Sequence, residues 1–287
     1  YTKNLFLNSK VNDRDRYSFR AQLLSKLTNN INLRLIADYN KAKETCCTVG
    51  ILQNGLVTLG VGAQVAARDG QPVILNPVQP FSYKTYLNID PKGYLEGHGI
   101  SAHLDWKLDE KHTLKSITSF RKNKQYVNGD VDFSAIDALT NRLDDTFKTF
   151  SQEIRLNSDY NGKLNWMLGA YYQDEQIKHD RDVLYKSDIK LVVNTLLGAN
   201  GLSLAALGQG NAFNLNDGLQ HEYFNMDNKA YNIFGQLDYD LGKKTSLILG
   251  LNYLSDTKNV HSNVIIQDTF SSIPYILNPA TSSLVGF

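Results

Sequence analysis

Apolar and polar residues alternate with period two along eight segments of the chain, and the segments come in pairs. In the first pair, Tyr17, Phe19, Ala21 and Leu23 take one parity and Ser18, Arg20 and Gln22 the other. Beyond a polar turn at Thr28, Asn29 and Asn30, Ile31, Leu33, Leu35, Ala37 and Tyr39 share one face, against Asn32, Arg34, Asp38 and Asn40. Successive strand side chains point to opposite faces, so each segment predicts a ribbon with one apolar and one polar side, and the two together a hairpin. The second pair sets Ile100, Ala102, Leu104 and Trp106 against Ser101, His103, Asp105 and Lys107. It then turns at residues 108–111 into a segment over 114–121 whose alternation Ile117 loosens. In the third, Ile154 and Leu156 oppose Ser151, Glu153 and Arg155. After a turn over 159–162, Trp166, Leu168, Ala170 and Tyr172 oppose Asn165, Gly169 and Gln173. The fourth is the cleanest: Tyr231, Ile233, Gly235, Leu237 and Tyr239, a turn over 240–243, then Leu247, Leu249, Leu251 and Tyr253.

Connections within pairs are short and rich in Asn, Asp, Gly and Lys, as tight hairpins require. Connections between pairs are long, over about residues 41–97, 122–147 and 173–228. Such loops are uncommon in compact soluble domains. A sheet with one trimmed and one elaborated edge is the plan of outer-membrane β-barrels, with short periplasmic turns and long extracellular loops. Each segment supports about 9–11 strand residues, enough to cross a bilayer at the usual tilt. Tyr39, Trp106, Phe120, Trp166, Tyr172, Tyr239 and Tyr253 sit near the ends of the apolar faces, where Tyr and Trp suit a membrane interface. A soluble β-sandwich also alternates, but with shorter loops. Here Arg20, Arg34, Glu153 and Arg155 all stand opposite the apolar face. The expectation is an all-β fold, an antiparallel transmembrane β-barrel.

Residues 45–67 and 191–213 hold no charged side chain. Gly, Asn and Gln interrupt both, so they predict short helices or secondary hairpins folded over the barrel mouth, with 189–197 helical.

Composition narrows the classes. Lys and Arg total 30 against 29 Asp and Glu, a net charge of +1, which argues against a nucleic-acid partner. Mean hydropathy is −0.34, and no apolar run of about 20 residues occurs, which excludes a helical membrane protein. A barrel escapes that exclusion, because lipid-facing and lumen-facing residues average to a soluble-like value. The chain opens on Tyr1 without a signal-peptide core, and is expected to be a processed product or a piece of something longer. Cys46 and Cys47 are the only cysteines; they read as two free thiols or a vicinal disulfide, not as a disulfide scaffold or zinc site.

The segment Phe150-Ser151-Gln152-Glu153-Ile154-Arg155-Leu156, followed by Leu164-Asn165-Trp166-Met167-Leu168-Gly169-Ala170-Tyr171-Tyr172, resembles paired strands of TonB-dependent outer-membrane receptors. So does Tyr231-Asn232-Ile233-Phe234-Gly235-Gln236-Leu237-Asp238-Tyr239 with Leu247-Ile248-Leu249-Gly250-Leu251-Asn252-Tyr253, and Leu114-Lys115-Ser116-Ile117-Thr118-Ser119-Phe120-Arg121 looks like another family strand. The resemblance spans about residues 15–255. It implies a barrel of about 22 strands around a lumen wide enough to need a plug. The eight strands are then part of that wall, residues 1–287 a portion of the barrel domain, with the plug domain, the TonB-contacting box and the terminal strands absent. Phe287 follows Pro274, Asn278, Pro279 and a Ser-rich stretch, and is expected to end the piece inside a loop. The resemblance also implies the bacterial cell outer membrane with its lipid as surroundings. A TonB complex would engage the missing plug region. The cargo would be a scarce small-molecule nutrient such as a ferric siderophore or other metal chelate, cobalamin or an oligosaccharide. Two other classes stay open at this point: a stand-alone small barrel serving as pore, adhesin or enzyme, and a soluble β-rich binding module.

No enzyme signature occurs. Gly60-Val61-Gly62 begins like a dinucleotide fingerprint but lacks the third glycine and the βαβ context, and GxSxG, HExxH and P-loop motifs are missing. Neither catalytic, cofactor nor metal residues are therefore expected, and the ligand-contact residues are open. His98, His103, His112, His179, His221 and His261 are scattered without metal spacing, and His103 is expected to face the lumen as a solvated wall residue. Asp130, Asp132, Asp144 and Asp145 crowd one loop and read as solvated acids, a weak calcium site being the alternative. Glu153 and Arg155 are expected to pair across strands with neighbouring lumen charges.

Overall fold

The computed structural model describes residues 1–50, 52–70, 81–160, 162–199, 201–206 and 218–267. In chain order its elements are β1 (Thr2–Asn4), β2 (Ser9–Val11), β3 (Arg16–Lys26), β4 (Ile31–Glu44), α1 (Leu56–Asp69), β5 (Lys84–Thr85), β6 (Lys92–Lys107), β7 (His112–Asp130), β8 (Leu139–Ser158), β9 (Leu164–Tyr185), α2 (Ile189–Gly198), β10 (Gly218–Gly242) and β11 (Thr245–Ile266). The eight long strands form one antiparallel sheet in the order β3-β4-β6-β7-β8-β9-β10-β11. All eight expected segments lie in it. The end strands β3 and β11 do not pair, so the sheet is an open portion of a β-barrel wall, and a stand-alone eight-stranded barrel does not close. A separate three-stranded sheet, β2-β1-β5, which the alternation did not reveal, sits among the loops.

Register carries the two faces unbroken across the wall. One row runs Ile31, Trp106, Leu114, Leu156, Leu168, Gly235, Leu251. A row of the other face runs Arg20, Asp38, Gly99, Arg121, Thr149, Glu175, Asn228, Lys258. On the polar face Arg121 reaches over β6 to Asp38, with Nη2 2.6 Å from Oδ1. It can do so because Gly99 lies beneath it: a Cβ there would come within 2.8 Å of the guanidinium. Glycine is the residue that permits this close passage. On the apolar face, large side chains stand bare, Leu251 at 86% and Ile154 at 45% of full exposure. A contiguous apolar surface of this extent marks a face that meets something other than water. The buried apolar clusters of the chain lie in its loops instead.

Ile117 interrupts the polar face, as the sequence indicates, without disturbing the register. It stands on the polar face between His103 and Glu153, while Ser116 and Thr118 take the apolar face with Leu114 and Phe120. These two hydroxyls and Gln152 satisfy one another: Thr118 Oγ1 donates to Gln152 Oε1 at 2.5 Å, and Gln152 Nε2 to Ser116 Oγ at 2.9 Å.

Strand length departs from expectation. The strands from β6 onward run 16–25 residues rather than about 9–11. The stretch 122–147 is mostly strand, with only residues 131–138 between β7 and β8. Likewise β4 extends to Glu44, β6 begins at Lys92, β9 extends to Tyr185 and β10 begins at Gly218. Beyond the apolar band both faces turn polar, so the period-two signal vanishes while the backbone ladder continues.

The short turns are held locally. Leu27 N–H donates to Ile31 O at 2.9 Å and Leu108 N–H to His112 O at 2.9 Å. Asp109 Oδ1 accepts from Lys111 and His112 N–H at 2.7 and 2.8 Å, and the His112 side-chain hydrogen bond holds this carboxyl below the ordinary carboxylate range. Helix α2 begins at Ile189, as the pattern predicts, and overlaps the second uncharged stretch; α1 overlaps the first and runs past it through Arg68 to Asp69. Residues 207–213 and 268–287, with Pro274 and Phe287, lie outside the described residues.

Candidate functional site

The polar face and the loops at its far end from the short turns define the candidate site. Along the lower wall, His103 stands on the polar face as expected, with Nδ1 3.4 Å from Arg34 Nη2 and Nε2 3.3 Å from Ser101 Oγ. Glu153 and Arg155 pair with each other along β8 instead of across strands. Spacing of two residues already brings the side chains to the same face, and the Arg155 guanidinium also lies 5.7 Å from the Phe234 ring centre.

At the loop end, β3, β4, β6, β7, β8 and β9 line a cavity of about 900 Å³ whose walls include Arg16, Glu44, Gln125, Asn141, Arg181 and Asp130. Arg16 Nη2 donates to Glu44 Oε2 at 2.9 Å, and this pairing lowers the Glu44 pKa. Arg181 Nε donates to Asn141 Oδ1 at 3.1 Å, and its Nη1 lies 3.5 Å from Glu222 Oε2. Cys46 and Cys47 form a vicinal disulfide at the cavity edge. Between the two sequence readings, free thiols or bridge, the chain takes the bridge. These groups can hold a polar ligand by ion pairs and amide hydrogen bonds.

The four acids of 130–145 separate. Asp144 and Asp145 lie within β8, and Asp145 Oδ1 is 2.7 Å from His179 Nδ1. Asp130 is 6% exposed, not solvated. Its Oδ1 accepts from Asp132 and Phe133 N–H at 2.9 and 3.1 Å. Burial, then the Asp132 charge, pushes Asp130 up to about 8, and burial also raises Asp132. The tight 131–138 connection withdraws both carboxyls from water, which a long open loop would not do.

At the loop end three connections lock together into a helical cap. Val61 and Val65 of α1 pack with Ile136 and Ala138, against Leu191 and Val192 of α2. Gly60 lies in this helix contact, where a Cβ would come 3.0 Å from Thr195 Cγ2. Gly60 and Val61 thus serve close helix packing, and the triplet lies inside α1 rather than in a strand-to-helix phosphate loop. Asp188, 2% exposed, ties the cap together. Its Oδ1 pairs with Arg68 at 2.5 Å, and its Oδ2 accepts Asp137 N–H at 3.0 Å. Asp137 in turn accepts from Asn88 Nδ2 at 2.8 Å and Ser187 Oγ at 2.9 Å. Sequence reading missed this hub, since its members lie in three separate loops.

Sequence reading also missed one histidine cluster. Asp180, Asp182 and His221 bring ligand atoms within 4.8 Å of one another on the side of the apolar face. His221 Nδ1 lies 2.6 Å from Asp182 Oδ1, and Arg142 pairs with the second oxygen of Asp182. The guanidinium therefore supplies the positive charge that this carboxylate needs.

No family model and no curated protein sequence matches the chain. Solved structures do. The ferric yersiniabactin uptake receptor FyuA from Yersinia pestis superposes with a TM-score of 0.63 at 9% identity, covering 93% of this chain and 34% of FyuA. BauA, the ferric preacinetobactin receptor from Acinetobacter baumannii, superposes with a TM-score of 0.50 at 11% identity, covering 90% of this chain and 37% of BauA. The chain spans about a third of the length of these structures. At such identity the likeness is one of fold, and it makes TonB-dependent receptors, the family the strand segments resemble, structural relatives of this wall. These neighbours are receptors, not enzymes.

Proposed function

We propose that residues 1–287 are part of the barrel domain of an outer-membrane receptor. In this reading they supply wall and ligand-capturing loops for TonB-energised uptake of a scarce nutrient, a ferric siderophore or a similar metal chelate. The observation that carries the proposal is the register. It joins apolar positions from eight strands into one exposed band and sends Arg20, Asp38, Arg121 and their row to the opposite face. From Ile31 to Tyr39 the band spans about 26 Å along the strand at ~3.3 Å per residue; a strand tilt of about 40° projects this to about 20 Å, most of the roughly 25 Å apolar height of a transmembrane barrel. Trp106, Trp166 and Tyr239 mark its short-turn end; Tyr39, Phe120, Phe150 and Tyr172 mark its loop end, as aromatic girdles do. The cavity and cap then lie on the extracellular side, where a ligand first arrives. No helix among the described residues is long and apolar enough to cross a membrane, so strands carry the crossing.

The plug region that would contact TonB is proposed to belong to the same full-length protein. In the parent organism, that protein should fractionate with outer membranes. Protease added to intact cells should cut within 131–138 or α1 and spare the 27–30 and 108–111 turns; recovery in the soluble fraction would overturn the reading. Deleting the gene should abolish growth on at least one ferric chelate supplied as sole iron source, and reintroducing it should restore growth. Undiminished growth on every ferric chelate tested would remove the siderophore assignment.

A further inference from the structure

The turn from β7 into β8 carries two carboxyls to which the chain supplies no positive charge. Asp130 ends β7, is 6% exposed and forms part of the cavity wall. Its Oδ1 is engaged by the N–H groups of Asp132 and Phe133, but its Oδ2 is buried and meets no donor. Two residues on, Asp132 Oδ1 accepts the N–H and the hydroxyl of Ser134 at 3.0 and 2.5 Å, and its Oδ2 the N–H of Leu139 at 3.4 Å. The charge of Asp132 acts directly on Asp130. Among the described residues no Lys, Arg or His pairs with either carboxyl. The N–H and hydroxyl groups orient the oxygens without cancelling two like charges, and buried charges persist when they are paired or coordinate a metal.

A second oxygen lacks a donor in the segment packed on this turn. Asn88 N–H donates to Ser134 O at 3.2 Å and its Nδ2 to Asp137 Oδ1 at 2.8 Å, while its own Oδ1 is buried with no partner. Residues 130–139 contain neither His nor Cys, so the groups on offer are oxygens. Calcium takes roughly six to eight oxygens from carboxylates, amide and backbone carbonyls and water; softer transition metals call for nitrogen or sulfur.

We propose that Asp130 and Asp132 hold a calcium ion at the turn from β7 into β8, Asp130 through the Oδ2 that no donor engages. Backbone carbonyls and water complete the shell. The same turn gives Ile136 and Ala138 to the cap and Asp137 to the Asp188 hub, so the ion fixes the footing of the cap and one wall of the cavity together. The site needs only the fold and is independent of what surrounds the apolar face.

The test uses the full-length protein in detergent at constant neutral pH, stripped of divalent ions with a chelator, and follows hydrogen exchange in residues 130–139 as calcium chloride alone is added. Extracellular calcium sites have Kd values of roughly 10⁻⁴–10⁻³ M, so about 5 mM calcium should slow this exchange about 6- to 50-fold. The same concentration of magnesium chloride should slow it less than about twofold, because magnesium dehydrates reluctantly. The double variant Asp130→Asn, Asp132→Asn should exchange at a rate indifferent to calcium and bind one ion fewer per chain in equilibrium dialysis. Asp144→Asn with Asp180→Asn should keep the full response. Unchanged protection of β7 and β8 certifies the fold of each variant. Where the double variant loses it, Asp130→Asn alone, which keeps an oxygen for both N–H groups, takes its place. Exchange unmoved by calcium in the wild type, equal slowing by magnesium, or equal slowing in the Asn variants would each overturn the site.

Discussion

Ile154 offers a direct measurement of what surrounds the apolar face. It lies in the interior of the sheet, in register with Ser116 and Ala170, midway along the band on β8, and its side chain is 45% exposed. Ile154→Arg adds no clash, because the side chain already points outward. If water bathed the face, an arginine there would change stability by less than about 0.5 kcal/mol, as surface substitutions do. If hydrocarbon bathes it, the same change costs about 2–4 kcal/mol at mid-depth, roughly 30- to 700-fold in the folding equilibrium. Depth should grade the effect, with Tyr172→Arg at the band edge costing about 0–1 kcal/mol. The assay is denaturant unfolding of the full-length protein in lipid vesicles. Trp106 and Trp166, both on the apolar face, serve as fluorescence reporters. A cost below about 0.5 kcal/mol at Ile154, or an equal cost at both depths, would refute the membrane assignment.

Other consequences can be checked independently. Gln152→Ala strands the Thr118 and Ser116 hydroxyls and should destabilise the wall by about 1–3 kcal/mol, while replacing all three by apolar residues should be close to neutral, measured by the same unfolding assay. Asp188→Ala should open the cap at a cost of about 1–3 kcal/mol, seen as faster proteolysis of α1 and α2 with strand protection unchanged; equal protection of the helices would count against the hub. Asp130 has a folded-state pKa raised to about 8, so its contribution is fully present below the ordinary carboxylate range and is lost as pH rises through about 8. Hydrogen exchange in residues 130–139 should therefore accelerate, beyond the intrinsic rate, between about pH 4 and 8, and Asp130→Asn should flatten that change. A dependence unaltered by the substitution would assign it elsewhere.

What could be read from residue order alone is local in origin. Alternation reflects the environment on each side of a strand, and turn residues reflect backbone geometry over a few positions, so eight strands, their four hairpins, the two faces, α2 and the resemblance to a receptor family were all legible. Alternation falls silent where both faces meet water, and for that reason the upper halves of β7, β8, β9 and β10 carry no strand signal in the sequence. The tertiary structure decided what depends on register between distant segments. Register places His221 beside Asp182. Loop packing buries Asp130 and draws Arg68, Asp137 and Asp188 into one hub. These pairings join residues tens of positions apart. Their energies arise from contact in space, and no period or motif along the chain records them.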